Sequence, residues 1–142
     1  MAHYPESQVA PMREELVQAG FTQLMTPAEV DRVLGQPQPG TTLLVVNSVC
    51  GCAAAGARPG VIQALRKGLR FDRLVTVFAG METEATQQAR QYFEGAPPSS
   101  PQAAIFRDGQ LVHLMSRSAF LERSPEAIAE ELIRAAGTLA TE

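Results

Sequence analysis

TTLLVVNSVCGCAAAGARPG, residues 41–60, sets the architecture of this chain. Its first eight residues form a continuous β-prone apolar run without polar alternation, the pattern of a strand covered on both faces and so central in a sheet. The alanine- and glycine-rich stretch after the cysteines suits a helix closed by Gly68. Pro59 falls inside it, removes a backbone hydrogen bond and is expected to kink it. Both cysteines of the chain, Cys50 and Cys52, therefore stand where strand gives way to helix.

Working outward, RLVTVFAG (73–80) reads as a second buried strand. METEATQQARQYFEG (81–95) reads as a helix whose Ala85, Ala89 and Tyr92 or Phe93 share a face, capped at Gly95. AAIFRDGQLVHLM (103–115) predicts a hairpin, since two β-prone runs flank the tight-turn dipeptide Asp108-Gly109. Ser124 caps a last helix that starts Pro125-Glu126 and turns Ile128, Leu132 and Ile133 inward.

Toward the N-terminus, residues 4–20 place Val9, Met12, Leu16 and Val17 at near-helical spacing, with Pro11 disturbing the first turns. Thr26, Pro27 and Glu29 form a capping box for a short second helix. GQPQPG (35–40) and GAPPSSP (95–101) read as loops.

The order after residue 40 is therefore βαβ, α, ββ, α. A parallel pair with a right-handed crossover, followed by an antiparallel pair, gives a mixed α/β sheet of about four strands with helices on both faces. This layout resembles the thioredoxin-like fold. The expected organisation is one domain over residues 1–142, with residues 1–36 as a helical extension packed on it. The cysteines then lie beyond the C-terminal end of a central strand, the edge where open α/β sheets bind ligands.

A chain of 142 residues buries enough surface to fold without a staple. No apolar run reaches the roughly 20 residues of a membrane helix, and the N-terminus lacks a basic start and an apolar h-region. The expectation is a cytoplasmic protein, away from the membrane, in a compartment that disfavours structural disulfides. A net charge of -3 and scattered arginines argue against a nucleic-acid partner. Eleven of the twelve basic residues are arginine, a bias with no functional reading at this level.

A free thiol is only about 3% ionised at pH 7, whereas the amides and dipole at a helix N-terminus stabilise the anion. Cys50 is therefore the expected nucleophile for thiol–disulfide exchange, with Cys52 as the second redox residue. A disulfide between residues i and i+2 closes a small, strained ring and is readily reduced, and Gly51 gives the backbone its best chance of closing it. The two thiols supply half a tetrahedral metal shell, and the imidazoles of His3 and His113 are poorly placed to complete it, so no metal is expected. GCAAAGARPG matches neither a P-loop nor G-x-G-x-x-G, and its glycines and alanines are expected to let the helix pack closely on the sheet.

NSVCGCAAAGARP, LVTVFAG, the PPSSP and DGQLVH segments, and APMREELVQAGF and TPAEVD near the start together resemble the bacilliredoxin family over nearly the whole chain. The resemblance implies a thioredoxin-like protein that removes bacillithiol from mixed disulfides on other proteins, with weak isomerase activity. It implies Cys50 and Cys52 as catalytic residues, no bound cofactor, and bacillithiol as thiol co-substrate. Its partners would be bacillithiolated client proteins and the system that reduces bacillithiol.

Thioredoxin-like proteins also place a cis-proline against the active cysteine, which implies a cis Ser100–Pro101 bond. Gly51, Ser100 and Pro101 would then present the substrate-binding edge. Three other readings stay open: a general disulfide isomerase or reductase, a non-catalytic metal-binding module bridging two subunits through Cys50 and Cys52, and a redox-sensing interaction protein.

Overall fold

The computed structural model describes residues 4–35 and 39–140. Helix α1 (Glu6–Gln18) runs through Pro11, and just past its end Phe21 N–H returns to the Leu16 carbonyl at 3.0 Å. Strand β1 is two residues, Thr22–Gln23. Helix α2 (Pro27–Leu34) starts at the expected cap, with Glu29 N–H donating to Thr26 Oγ1 at 3.2 Å and Met25 N–H to Glu29 Oε1 at 2.6 Å. Strand β2 (Thr41–Asn47) leads to a helix that opens at Gly51, passes through a π-helical segment Ala53–Ala57 and continues as α3 (Arg58–Arg66).

The remaining elements are β3 (Arg73–Phe78), α4 (Thr83–Arg90), β4 (Gln102–Arg107), β5 (Gln110–Met115), a 3₁₀ turn Arg117–Ala119, and α5 (Pro125–Ala140). Helix α5 begins as expected, with Ala127 N–H donating to Ser124 Oγ at 3.1 Å. Helix α4 stops at Arg90, short of the expected Gly95, and the remaining residues turn so that Phe93 still buries beside Ala85 and Ala89.

The five described strands form one sheet in the order β1-β3-β2-β4-β5. Strand β3 is parallel to both β1 and β2, whereas β4 is antiparallel to β2 and β5. The mixed sheet expected from the sequence is present, with β1 added as an edge strand of two residues, too short to show any periodicity. The hairpin turns at Asp108 and Gly109, both at positive φ (52° and 84°), as a tight two-residue turn requires.

Strand β2 explains the two-layered core. Leu43 and Val45 join Leu16, Val61, Ile128 and Leu132 on the face covered by α1, α3 and α5. Leu44 and Val46 join Val30, Leu34, Ala89 and Phe93 on the face covered by α2 and α4. All four β2 side chains are fully buried, each worth roughly 1.5–3 kcal/mol relative to exposure, and this fixes the strand at the centre.

The structure adds detail to one expectation for the cysteine helix and changes another. Pro59 removes a backbone hydrogen bond inside the helix as expected, and the turn ahead of it widens, with Arg58 N–H bonding the Ala53 carbonyl five residues back. A π-bulge absorbs the bond that proline cannot make. The glycines also face another helix, not the sheet: a Cβ on Gly60 would lie 2.6 Å from Ile128 Cγ2, and one on Gly56 3.1 Å from Ile128 Cδ1. Their missing side chains let α5 close onto α3.

Candidate active site

Strand β2 delivers the chain to its C-terminal edge at Asn47, and Ser48-Val49 carries it to Cys50 at the head of the helix. The Cys50 carbonyl accepts from Ala53 N–H at 3.0 Å and Ala54 N–H at 3.2 Å, so Cys50 occupies the capping position. Its own N–H donates to Ser48 Oγ at 3.2 Å. The two thiols are free and half-buried, with their sulfurs 2.7 Å apart. Gly51 between them is exposed, and a Cβ there would meet nothing within 4 Å.

Across from this turn, Cys50 Sγ lies 3.9 Å from the Ser100 carbonyl oxygen, and the Ser100–Pro101 peptide bond is cis. The fold thus brings Cys50, Gly51, Cys52, Ser100 and Pro101 to one sheet edge, although the cysteines and the proline are some fifty residues apart in sequence. Arg90 fixes the proline loop from behind, with Nη2 donating to the Ser99 carbonyl at 2.6 Å and Nε to Gln102 Oε1 at 3.2 Å.

The two sulfurs are electrostatically distinct. Partial burial works against the Cys50 anion. Hydrogen bonds from the Cys52 thiol, the Ser48 hydroxyl and the Ala53 and Cys52 amides outweigh it, and Cys50 is held below the ordinary thiol pKa. Cys52 moves the other way: burial and the adjacent Cys50 push it up, and the nearby Arg117 guanidinium only partly offsets them. Of the two sulfurs, Cys50 is therefore the one that ionises more readily.

Sequence reasoning missed Arg58. Its side chain is 2% exposed and donates from Nη1 to the Ser48 carbonyl at 2.8 Å and to Asn47 Oδ1 at 2.9 Å, and from Nε to Glu15 Oε1 at 3.1 Å. Asn47 Oδ1 also accepts Ser48 N–H at 2.9 Å, and Asn47 Nδ2 donates to the Met12 carbonyl at 3.1 Å. The loop that aims Cys50 is thus tied to α1 and to the helix behind it. The available signal was an arginine in the otherwise small and apolar stretch 53–62, eight residues past Cys50.

No group of three or more His, Cys, Asp or Glu side chains able to hold a metal converges among the described residues. His113 pairs with Glu131 at 3.0 Å, and His3 lies outside the described residues. No described helix is long and apolar enough to cross a membrane.

A two-sided mixed sheet with vicinal thiols capping the helix after its central strand defines a thioredoxin-fold thiol–disulfide oxidoreductase. A solved chain described as having a thioredoxin fold superimposes with a TM-score of 0.65 at 15% identity, covering 84% of this chain and 96% of that one. Chlamydomonas reinhardtii thioredoxin f2 gives a TM-score of 0.56 at 15% identity over 84% and 96% of the two chains. Residues 4–138 match the Disulphide isomerase family. A bacilliredoxin of Salinibacter ruber is 49% identical over 93% of this chain and 78% of its own length, and one of Cytophaga hutchinsonii is 50% identical over 91% and 94%. The chain belongs to the bacilliredoxin family.

Proposed function

We propose that this protein removes bacillithiol from mixed disulfides on other proteins, with Cys50 as nucleophile. The observation that carries this reading is the half-buried Cys50 sulfur, held below the ordinary thiol pKa and 3.9 Å from the Ser100 carbonyl at the cis-proline edge. The substrate class is the one implied by the resemblance to bacilliredoxins, and membership of that family supports it.

In the first step the Cys50 thiolate attacks the bacillithiol sulfur. The client–bacillithiol S–S bond breaks, the client leaves as a thiolate and takes up a proton, and Cys50 carries the bacillithiol. In the second step either the Cys52 thiolate or a second bacillithiol attacks this adduct. The first route releases bacillithiol and forms a Cys50–Cys52 disulfide; the second releases bacillithiol disulfide and restores Cys50. Reducing equivalents come from bacillithiol and its reductase system, without a bound cofactor, and the setting is the cytoplasm. Gly51, Ser100 and Pro101 present backbone to the incoming disulfide.

Mass spectrometry of the protein after mixing with a bacillithiolated client tests the reading. Cys50→Ser abolishes transfer, and Cys52→Ser traps the adduct on Cys50. Transfer that survives Cys50→Ser and disappears with Cys52→Ser reverses the assignment. The family description favours a second reading, general disulfide isomerisation. Under it, scrambled-disulfide substrates turn over faster than bacillithiolated ones.

A further inference from the structure

The charges around the two sulfurs are unbalanced. Arg117 stands exposed in the turn after β5, and its backbone N–H donates to Ser99 Oγ at 3.2 Å, which locks that turn to the proline loop. Its guanidinium favours the Cys52 anion, against the effects of burial and of Cys50. Arg90 is half-buried on the other side of the loop, and its side chain donates to the neutral oxygens of Ser99 and Gln102. Among the described residues neither arginine forms an ion pair with a carboxylate, whereas Arg13, Arg58 and Arg123 each do.

Before reaction, the Cys50 thiolate supplies one negative charge to this rim. When Cys50 becomes part of a neutral mixed disulfide, that charge leaves with the departing thiolate and two guanidiniums remain. A positive rim beside a partly dehydrated sulfur favours an adduct whose thiol portion carries its own anion. Arginine also matches a carboxylate through two parallel N–H donors.

We propose that Arg117, with Arg90 behind the Ser99–Gln102 loop, forms an anion subsite beside Cys50 and Cys52 that takes a carboxylate of the low-molecular-weight thiol, so that acidic thiols are the preferred mixed-disulfide partners. The subsite rests on the thiol-transfer reading above and adds the chemistry of the group transferred. It places selection in the small thiol, which leaves the client protein free to vary.

The test uses one fluorescent peptide thiol capped with mercaptosuccinate or with the uncharged mercaptosuccinamide, and a third sample capped with bacillithiol. Peptide release by the reduced full-length protein is timed in a single turnover, and the cap on Cys50 is weighed. The expected preference for the acidic over the neutral cap is about tenfold at low salt, and it declines as ionic strength rises. In Arg117→Gln the ratio falls to about one, and Arg117→Lys keeps part of it. Because the ratio divides out any change in nucleophile strength, a loss acting only through Cys52 leaves it unaltered. A wild-type ratio near one, or a ratio that survives Arg117→Gln, overturns the subsite even if the bacillithiol cap transfers normally. Failure of all three caps to transfer overturns the thiol-transfer reading itself.

Discussion

Nη1 of Arg58 donates to the Ser48 carbonyl at 2.8 Å and so ties the turn that aims Cys50 to the helix behind it. Arg58→Met leaves the Ser48 carbonyl without this donor and strips one of the two from Asn47 Oδ1, while the half-exposed Glu15 is freed to water. The expected loss is about 2–4 kcal/mol of folding stability in urea titration. Arg58→Lys recovers part of this, because an ammonium reaches one acceptor but cannot span three. In both variants the Cys50 pKa rises toward that of a free thiol as Ser48 loosens, which thiolate absorbance against pH would show.

The Cys52 thiol is a principal donor to the Cys50 anion, so its removal has a defined sign. Wild-type alkylation by iodoacetamide rises with pH and reaches its plateau below the range of a free cysteine, since Cys50 ionises early. In Cys52→Ala the hydrogen bond is gone and the whole profile moves to higher pH, whereas Cys52→Ser, which keeps a donor, moves it less. An unchanged Cys52→Ala profile would leave Ser48 and the helix amides as the entire source of the shift.

Linkage gives the same contact a stability signature. A thiol whose folded pKa is depressed stabilises the folded state fully above the unfolded pKa, near 8.5, and the contribution fades as pH falls through the lower folded value. The wild type should therefore gain stability relative to Cys50→Ala as pH is raised from 7 to 9. Paired urea titrations at several pH values measure this difference.

The frame of the site was legible because strong local patterns dictate it. The unbroken apolar run of β2, the Thr26 and Ser124 caps and the Asp108-Gly109 turn act within a few residues, and each forms as its sequence requires. Arg58 and Arg90 were not legible, since a buried arginine is identified only by acceptors 9 to 43 residues away, and Arg117 is brought to the site by the proline loop that its backbone N–H meets. The direction of Gly56 and Gly60 was misread for a related reason. Close packing was implied by their composition, but whether sheet or helix filled the space depends on where α5 lands, over sixty residues later.

Gly60 and Gly51 make a controlled comparison on one helix. A methyl at Gly60 would collide with Ile128 at both Cγ2 and Cβ, 2.6 and 2.8 Å away, whereas a methyl at Gly51 meets nothing within 4 Å. Gly60→Ala is expected to cost about 1–3 kcal/mol by forcing α5 off α3. Gly51→Ala should stay within about 0.5 kcal/mol in the dithiol form. If it nevertheless slows turnover, the glycine serves the exchange reaction and not the fold, a distinction that thermal melts and single-turnover rates measured side by side would draw.

Arg13 makes the other long-range clamp on this edge of the sheet. Its Nη1 and Nη2 donate to the two carboxylate oxygens of Glu82, each at 2.7 Å, with Nη1 also bonding Gln23 Oε1 at 2.9 Å and the guanidinium 5.2 Å from the centre of the Phe78 ring. Both partners are about nine-tenths buried, so this pair escapes the solvent screening that makes most surface ion pairs weak. Arg13→Lys cannot reproduce the fork or the stacking and is expected to lose about 1–2 kcal/mol, with Arg13→Ala losing about 3. The Arg13→Ala/Glu82→Ala double variant should lose less than the two singles summed, by roughly 1–3 kcal/mol of coupling, since the second change removes a charge already stranded by the first. Additive losses in that cycle would mean that the Arg13–Glu82 pair adds nothing to the hold that Val9, Leu16 and the Asn47 and Arg58 contacts have on α1.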